Sequence, residues 1–357
     1  MTFDIPGRRA RLMAFGAIVI AAGLALTGCT HAATPTASSA TAAALADRPT
    51  PVKNTTGKAV KIAMLGFSNN PYWVNVKAGV DYANRVLKAE NASASWIVAG
   101  TTLDVPTDNS ALQSTQVQGY NGAGFFIAGE GNCPTIKSLT ASGMKIGAYN
   151  TQFDCVEQSG GVIDYGQDQI AAGKLAAQKM IAATGGKAGK VGIIVSSFTA
   201  PGSEQRRQGF VDGLQGSNLT IVGQGVEAND SASTSFSAAQ NYMQANPDLV
   251  GIYATAGGPY GAASAVKTAG KSSIVKVIGF DITDQNLAAI RDGSMYGATG
   301  QDAFGQGYNT AIALYNAVVT GKASSPVIQN AASPFVDKSN INEHDPAKQP
   351  IGTPGTS

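Results

Sequence analysis

Hydrophobic and polar positions change period many times between Val60 and Val319. Short apolar runs at Val60 to Gly66, Ser95 to Gly100, Ala123 to Gly129 and Lys145 to Tyr149 alternate with helical spacing at Tyr72 to Ala89, Ser110 to Tyr120 and Thr135 to Ser142. Strands followed by amphipathic helices build a parallel sheet with helices on both faces. The scheme then repeats. Further strands are expected at Gly161 to Tyr165, Lys190 to Ser196, Thr220 to Val226, Leu249 to Ala254 and Val275 to Phe280, and the apolar face of a last helix, Ala303 to Val319, can dock on a sheet. The pattern predicts two α/β halves, with any ligand held at the carboxyl ends of parallel strands in the cleft between them.

Both ends of the chain depart from this pattern. Arg8, Arg9 and Arg11 precede an apolar run from Leu12 to Leu26, the layout of an export signal and too short to span a membrane comfortably. It closes on Leu26-Thr27-Gly28-Cys29, which resembles the lipobox of bacterial lipoproteins. That resemblance implies a signal peptide over 1–28, cut before Cys29, and an acylated Cys29 holding the protein on the outer face of the cell membrane. An uncleaved anchor helix is the other reading. From Thr30 to Gly57 the chain is dominated by Ala, Thr, Ser and Pro, too poor in large apolar groups to offset ordering, so 29–57 is expected to be a flexible tether. Pro, Gly and Lys dominate the end, and 344–357 is expected to be a loose tail.

With 357 residues and 43% hydrophobic content the chain can fill two medium cores, and its 43 glycines suit many short elements joined by tight turns. Removal of 1–28 would leave it formally neutral, which gives no support for nucleic acid as a partner. The two histidines, His31 and His344, fall in the tether and tail, so a Ser-His-Asp triad or a histidine zinc site has no residues to work with. No metal and no cofactor are expected. Beyond Cys29 only Cys133 and Cys155 remain; in an exported protein such a pair most often forms a disulfide, the alternative being two free buried thiols. Gly270-Lys271-Ser272 lacks the leading glycine of a phosphate loop and precedes a strand, and Asp104 to Asp108 lacks the spacing of a calcium loop.

Candidate binding residues lie at predicted strand ends. Asn70, Tyr72 and Trp73 follow the first strand, and aromatic faces pack on the C–H face of a sugar ring while amides serve its hydroxyls. Asn150 follows Ala148-Tyr149, Arg206 stands in Gln205-Arg206-Arg207-Gln208, Asp281 follows Ile278-Gly279-Phe280, and Gln301 follows Gly300. A carboxylate accepts from vicinal hydroxyls and a guanidinium donates through a planar fork, the charge-assisted chemistry that polyols reward.

Ser68 to Val80, the run Gly166-Gln167-Asp168-Gln169-Ile170-Ala171-Ala172-Gly173, Arg206 to Phe210, Val277 to Asp281 and Gln301 together resemble the ribose-type family of periplasmic sugar-binding proteins, over nearly everything from Val60 to about Thr320. The resemblance implies an α/β fold of two Rossmann-like domains, each a parallel sheet with helices on both faces, joined by three hinge crossovers. It implies a first lobe of 58–166 plus about 302–331 and a second of 167–301 plus about 332–343. Its ligand-contacting positions fall on Asn70, Tyr72, Trp73, Asn150, Arg206, Asp281 and Gln301. The sequence departs at Asn150-Thr151, where the family commonly has Asp-Arg, and lacks a stacking aromatic near Asn229 to Ser231. Cys133 and Cys155, with Cys133-Pro134 opening a helix, are similar to the autoinducer- and polyol-binding branch, which widens the expected ligands to sugar alcohols and furanose-like signals.

The expected function is capture of a small polyhydroxylated ligand and its delivery to the permease subunits of an ABC importer, by a monomer and without catalysis. A module presenting a sugar or furanose-like signal to a membrane receptor is the alternative. A carbohydrate hydrolase needs two cleft carboxylates, and only Asp281 is persuasive.

Overall fold

The computed structural model describes residues 48–68, 71–101 and 103–344. The export signal, Cys29, His31, Asn70, the first part of the expected tether and the tail beyond His344 lie outside the described residues. The strands, in chain order, are β1 (Val60–Phe67), β2 (Ala92–Gly100), β3 (Gly122–Phe126), β4 (Lys145–Thr151), β5 (Ile163–Gln167), β6 (Gly189–Val195), β7 (Leu219–Ile221), β8 (Val226–Glu227), β9 (Leu249–Ala254), β10 (Lys276–Phe280), β11 (Gly297–Thr299), β12 (Ile328–Asn330) and β13 (Phe335–Asp337). The helices are α1 (Tyr72–Leu87), α2 (Val105–Val117), α3 (Cys133–Ala141), α4 (Cys155–Gln158), α5 (Gln169–Ala183), α6 (Pro201–Gly213), α7 (Ala232–Ala245), α8 (Pro259–Thr268), α9 (Asp284–Asp292) and α10 (Ala303–Thr320).

Two sheets result. The first runs β12-β5-β4-β3-β1-β2 with every pair parallel. The second runs β13-β11-β10-β9-β6-β7, with β8 also on β6, and only its β11–β13 pair is antiparallel. The central strands are buried on both sides, as parallel sheets covered by helices require, and β1 exposes only Lys61. This is the two-lobed, doubly wound architecture expected from the alternation of strand and helix patterns.

The helix pair beside the cleft in each lobe is interlocked through glycine. In the first lobe a Cβ at Gly79 of α1 would collide with the Phe304 carbonyl, and one at Gly307 of α10 with the Val76 carbonyl. In the second, Gly173 of α5 meets the Arg206 carbonyl and Gly209 of α6 the Ile170 carbonyl. Backbones that close leave no room for a side chain.

The chain passes between the sheets three times, after β5, after β11 and after β12. Gln167 ties these passages together, since its Nε2 donates to the Gly300 carbonyl at 2.8 Å and to Ser333 Oγ at 2.8 Å. Cys133 and Cys155 are bonded to each other, fastening α3 to α4 with Cα atoms 5.9 Å apart.

Some local expectations are replaced. The single strand expected over Thr220 to Val226 is two short ones, because Gly223 and Gly225 take positive φ between them. Helix α2 begins well before Ser110, where Asp104 accepts from the Thr107 amide at 2.8 Å and Pro106 sits in the first turn. The tether expected to run to residue 57 is docked from Arg48 onward. Asn316 of α10 brackets it, accepting from the Val52 amide at 2.8 Å and donating to the Thr50 carbonyl at 3.0 Å. His344 ends a short 3-10 turn and is half-buried, not loose. Among the described residues no helix is long and apolar enough to cross a membrane, and no cluster of His, Cys, Asp or Glu could hold a metal ion.

Candidate functional site

At the carboxyl ends of the strands of both sheets lies a cavity of about 470 Å³. Tyr72, Trp73, Asn150, Arg206, Asp281 and Gln301, all picked out from the sequence, line it together.

The first lobe supplies an aromatic wall. Pro71 precedes α1, so Tyr72 and Trp73 fall in its first turn at the end of β1. Trp73 packs edge-on against Tyr72 and Phe126 with ring centroids 5.0 and 5.8 Å apart, and tilts against Phe67 at 5.3 Å. Such contacts fix the rings before any ligand arrives. Phe126, at the carboxyl end of β3, also lines the cavity and was not foreseen. In the unbroken apolar run Phe125-Phe126-Ile127 the cleft-facing residue does not stand out; only its place at a strand end could have marked it.

The second lobe supplies charge. Arg206 is 4% exposed, and each of its nitrogens is placed: Nε donates to Gln169 Oε1 at 2.5 Å, Nη1 to the Thr255 carbonyl at 3.1 Å and Nη2 to Gln301 Oε1 at 2.8 Å. Its guanidinium carbon lies 4.1 Å from the centre of the Phe280 ring, a cation–π contact that fixes its plane. Asp281 is 6% exposed and accepts from Gln301 Nε2 at 2.6 Å. Burial pushes its carboxyl up to about 6, opposed by Arg206 and by the Gln301 bond. Burial likewise presses the Arg206 guanidinium below its ordinary value, with Asp281 pulling it back.

Gln301 is the hub. Its Oε1 accepts from Arg206 and from Asn150 Nδ2 at 3.1 Å, while its Nε2 serves Asp281. Asn150 also donates to Tyr72 Oη at 2.8 Å, and Tyr72 Oη in turn donates to Gln306 Oε1. Gln169 joins the chain by donating to the Asn150 carbonyl at 3.0 Å. Gln169 and Gln306 were not foreseen, because as helix residues with neutral side chains they carry no pattern that separates them from solvated positions. Asp230, also unforeseen, lines the cavity and lies close enough to Asp281 to raise its pKa.

The backbone marks the same places. Asn150, Asp230, Asp281 and Asp302 hold φ of 85°, 58°, 75° and 47°. Left-handed angles cost free energy for any residue with a Cβ, least for Asn and Asp, and cluster at binding sites where surrounding bonds enforce them. Asn286 does so for Asp281, donating to the Phe280 and Asp281 carbonyls at 2.8 Å each.

Two sheets, three passages and a cavity at their strand ends define a two-lobed binding architecture, and the model of the periplasmic binding protein domain matches residues 62–323. The chain belongs to the periplasmic binding protein family. The match agrees with the ribose-type resemblance carried by the sequence motifs. The chain is 24% identical over 297 residues to the xylose/arabinose-binding protein XylF of Sulfolobus acidocaldarius, spanning 78% of this chain and 70% of that one. It is 23% identical over 263 residues to the D-allose-binding periplasmic protein of Escherichia coli K12, spanning 71% and 83%. A solved ABC transporter solute-binding protein from Burkholderia graminis, in complex with D-arabinose, superposes with a TM-score of 0.72 at 20% identity, covering 80% of this chain and 98% of the other. That last likeness is one of fold. In this periplasmic binding protein the six predicted residues inside the described structure converge on one cavity, while Asn70 lies outside the described residues.

Proposed function

We propose that the protein is an extracytoplasmic solute-binding protein that captures a small sugar or sugar alcohol in the cleft between its lobes and passes it to an ABC importer. One observation carries the reading: an aromatic wall of Tyr72, Trp73 and Phe126 faces a buried cation and carboxylate, Arg206 and Asp281, across a cavity of about 470 Å³. Apolar C–H faces and hydroxyl edges coexist in a sugar, which suits both walls at once. The names of the relatives, which bind xylose, arabinose and allose, point the same way. Asn150, Arg206, Asp281 and Gln301 hold hydroxyls, and Tyr72 and Trp73 stack on the ring. Ligand contacts made with both lobes favour the closed form by their differential affinity. The reading assigns the protein no catalysis.

The cysteine of the lipobox-like segment, Cys29, anchors the protein to the outer face of the membrane in this reading. A thermal-shift screen of the full chain against pentoses, hexoses, sugar alcohols, cyclitols and furanose signals tests the central claim. A sugar present at a hundredfold excess over its dissociation constant should add about 2.7 kcal/mol of stability. A folded sample that responds to no member of the panel refutes capture of a sugar-like ligand. A strain lacking the gene that still imports the identified sugar but loses its transcriptional response would replace transport by sensing.

A further inference from the structure

The segment that precedes β1 carries a residue that reaches the hinge. Arg48 forms a two-pronged ion pair with Asp302, Nη1 to Oδ2 at 3.0 Å and Nη2 to Oδ1 at 2.8 Å. Its Nη1 also lies 3.4 Å from Asn309 Oδ1, and its guanidinium carbon is 5.2 Å from the centre of the Phe304 ring. Tyr165 Oη, from the middle of β5, donates to Asp302 Oδ2 at 2.8 Å. The Gly305 amide donates to Oδ1 at 3.1 Å, capping α10. A Cβ at Gly305 would collide with both the Asp302 carboxylate and the Arg48 guanidinium, so the clamp needs a glycine there.

Asp302 is the residue after Gln301, the hub of the cleft, and it holds the left-handed φ of 47°. That conformation persists only where neighbours over-determine it. Its carboxylate receives Arg48, Tyr165 and the Gly305 amide, from three separate parts of the chain. Arg48 is itself held in place by the strap behind it, where the Tyr315 hydroxyl donates to the Val52 carbonyl at 2.8 Å and Asn316 brackets Thr50 and Val52. We infer that Arg48 is a positioning residue of the binding site: through Asp302 it fixes the turn that aims Gln301 at Asn150, Arg206 and Asp281. The segment before β1 is then part of the binding machinery, and a chain started at Val60 would bind more weakly. The effect on affinity rests on the sugar-binding reading; the effect on the turn does not.

The test compares the full chain with Arg48→Ala and Arg48→Lys, without ligand and with D-arabinose or D-xylose as probes. Amide hydrogen exchange over residues 300–306 should rise in Arg48→Ala while exchange in α7 and the melting temperature stay near the wild-type values. Arg48→Lys, which keeps one prong, should return part of the protection. Affinity for whichever probe the wild type binds should fall about tenfold in Arg48→Ala, the scale of a charge-assisted bond that acts indirectly. Unchanged exchange at 300–306 overturns the inference, as does loosening spread evenly over the molecule. If the wild type binds neither sugar, the choice of ligand fails and the exchange data alone decide the role of Arg48.

Discussion

The two lobes are framed alike and equipped differently. Each carries a parallel sheet and, beside the cleft, a helix pair closed on mutual glycines, Gly79 with Gly307 in one and Gly173 with Gly209 in the other. Yet the first presents Tyr72, Trp73 and Phe126 to the cavity and the second presents Arg206, Asp230 and Asp281. The frame sets where strand ends meet, and the residues placed there divide the labour. An aromatic wall supplies area without much direction, whereas a buried guanidinium and carboxylate, each bonded to Gln301, supply direction, because their donors and acceptors are fixed before binding. A polar wall so placed is costly when one member is lost.

The division predicts unequal losses. Asp281→Ala removes the carboxylate that balances a buried guanidinium, and it should weaken binding of the sugar found by the screen more than about a hundredfold. Trp73→Ala opens the aromatic wall but leaves Tyr72 and Phe126, and about tenfold is expected from lost stacking. Calorimetric titration of both variants, with circular dichroism to verify folding, ranks the walls. Equal losses, or a larger one for Trp73→Ala, would mean that the first lobe carries the specificity and would break the comparison.

Much of this was legible before any coordinates, and the reasons differ by element. The alternation of strand and helix patterns from Val60 to Val319 was readable because parallel strands are continuous apolar runs and the helices are amphipathic. Asn150, Asp281 and Gln301 were readable because a polar group next to an apolar strand end needs a reason; Arg206, expected at a strand end, instead stands in the middle of α6 and reaches the cleft from the helix. Phe126 was hidden by being apolar among apolar neighbours. Arg48 was hidden by composition, since a lone arginine in a stretch of Ala, Thr and Pro looks solvated, and only a partner 254 positions away in sequence gives it a role. Asp104, in a stretch without calcium-loop spacing, is a helix cap, a role its own spacing to Thr107 announces once a helix is expected there.

A last effect is one of pH. Asp108 on α2 and Asp164 on β5, both of the first lobe and both almost fully buried, have carboxyls pushed up to about 8 and about 7 by burial, offset in part by bonds from the Ala128 and Phe153 amides. The unfolded chain releases these protons near pH 4, while the folded chain keeps them, so the folded state binds more protons between those limits. Stability from them is fully present below the unfolded value and is lost as pH rises through 7 to 8, at a slope of about 1.4 kcal/mol per pH unit for each carboxyl still protonated. The melting temperature should therefore fall by a few degrees per unit between about pH 4 and pH 8 and level off above that, and Asp108→Asn should flatten the fall without affecting sugar affinity. In the second lobe Asp281 is raised in the same direction and adds to the same fall in stability, but it becomes a full acceptor only above about 6, so affinity should rise between pH 5 and 7 while stability falls. Melting curves and titrations over the same pH series test both slopes. A melting profile in Asp108→Asn identical to that of the wild type would show that this carboxyl is not the buried acid responsible, and an affinity that is flat through pH 6 would remove Asp281 from the charged wall.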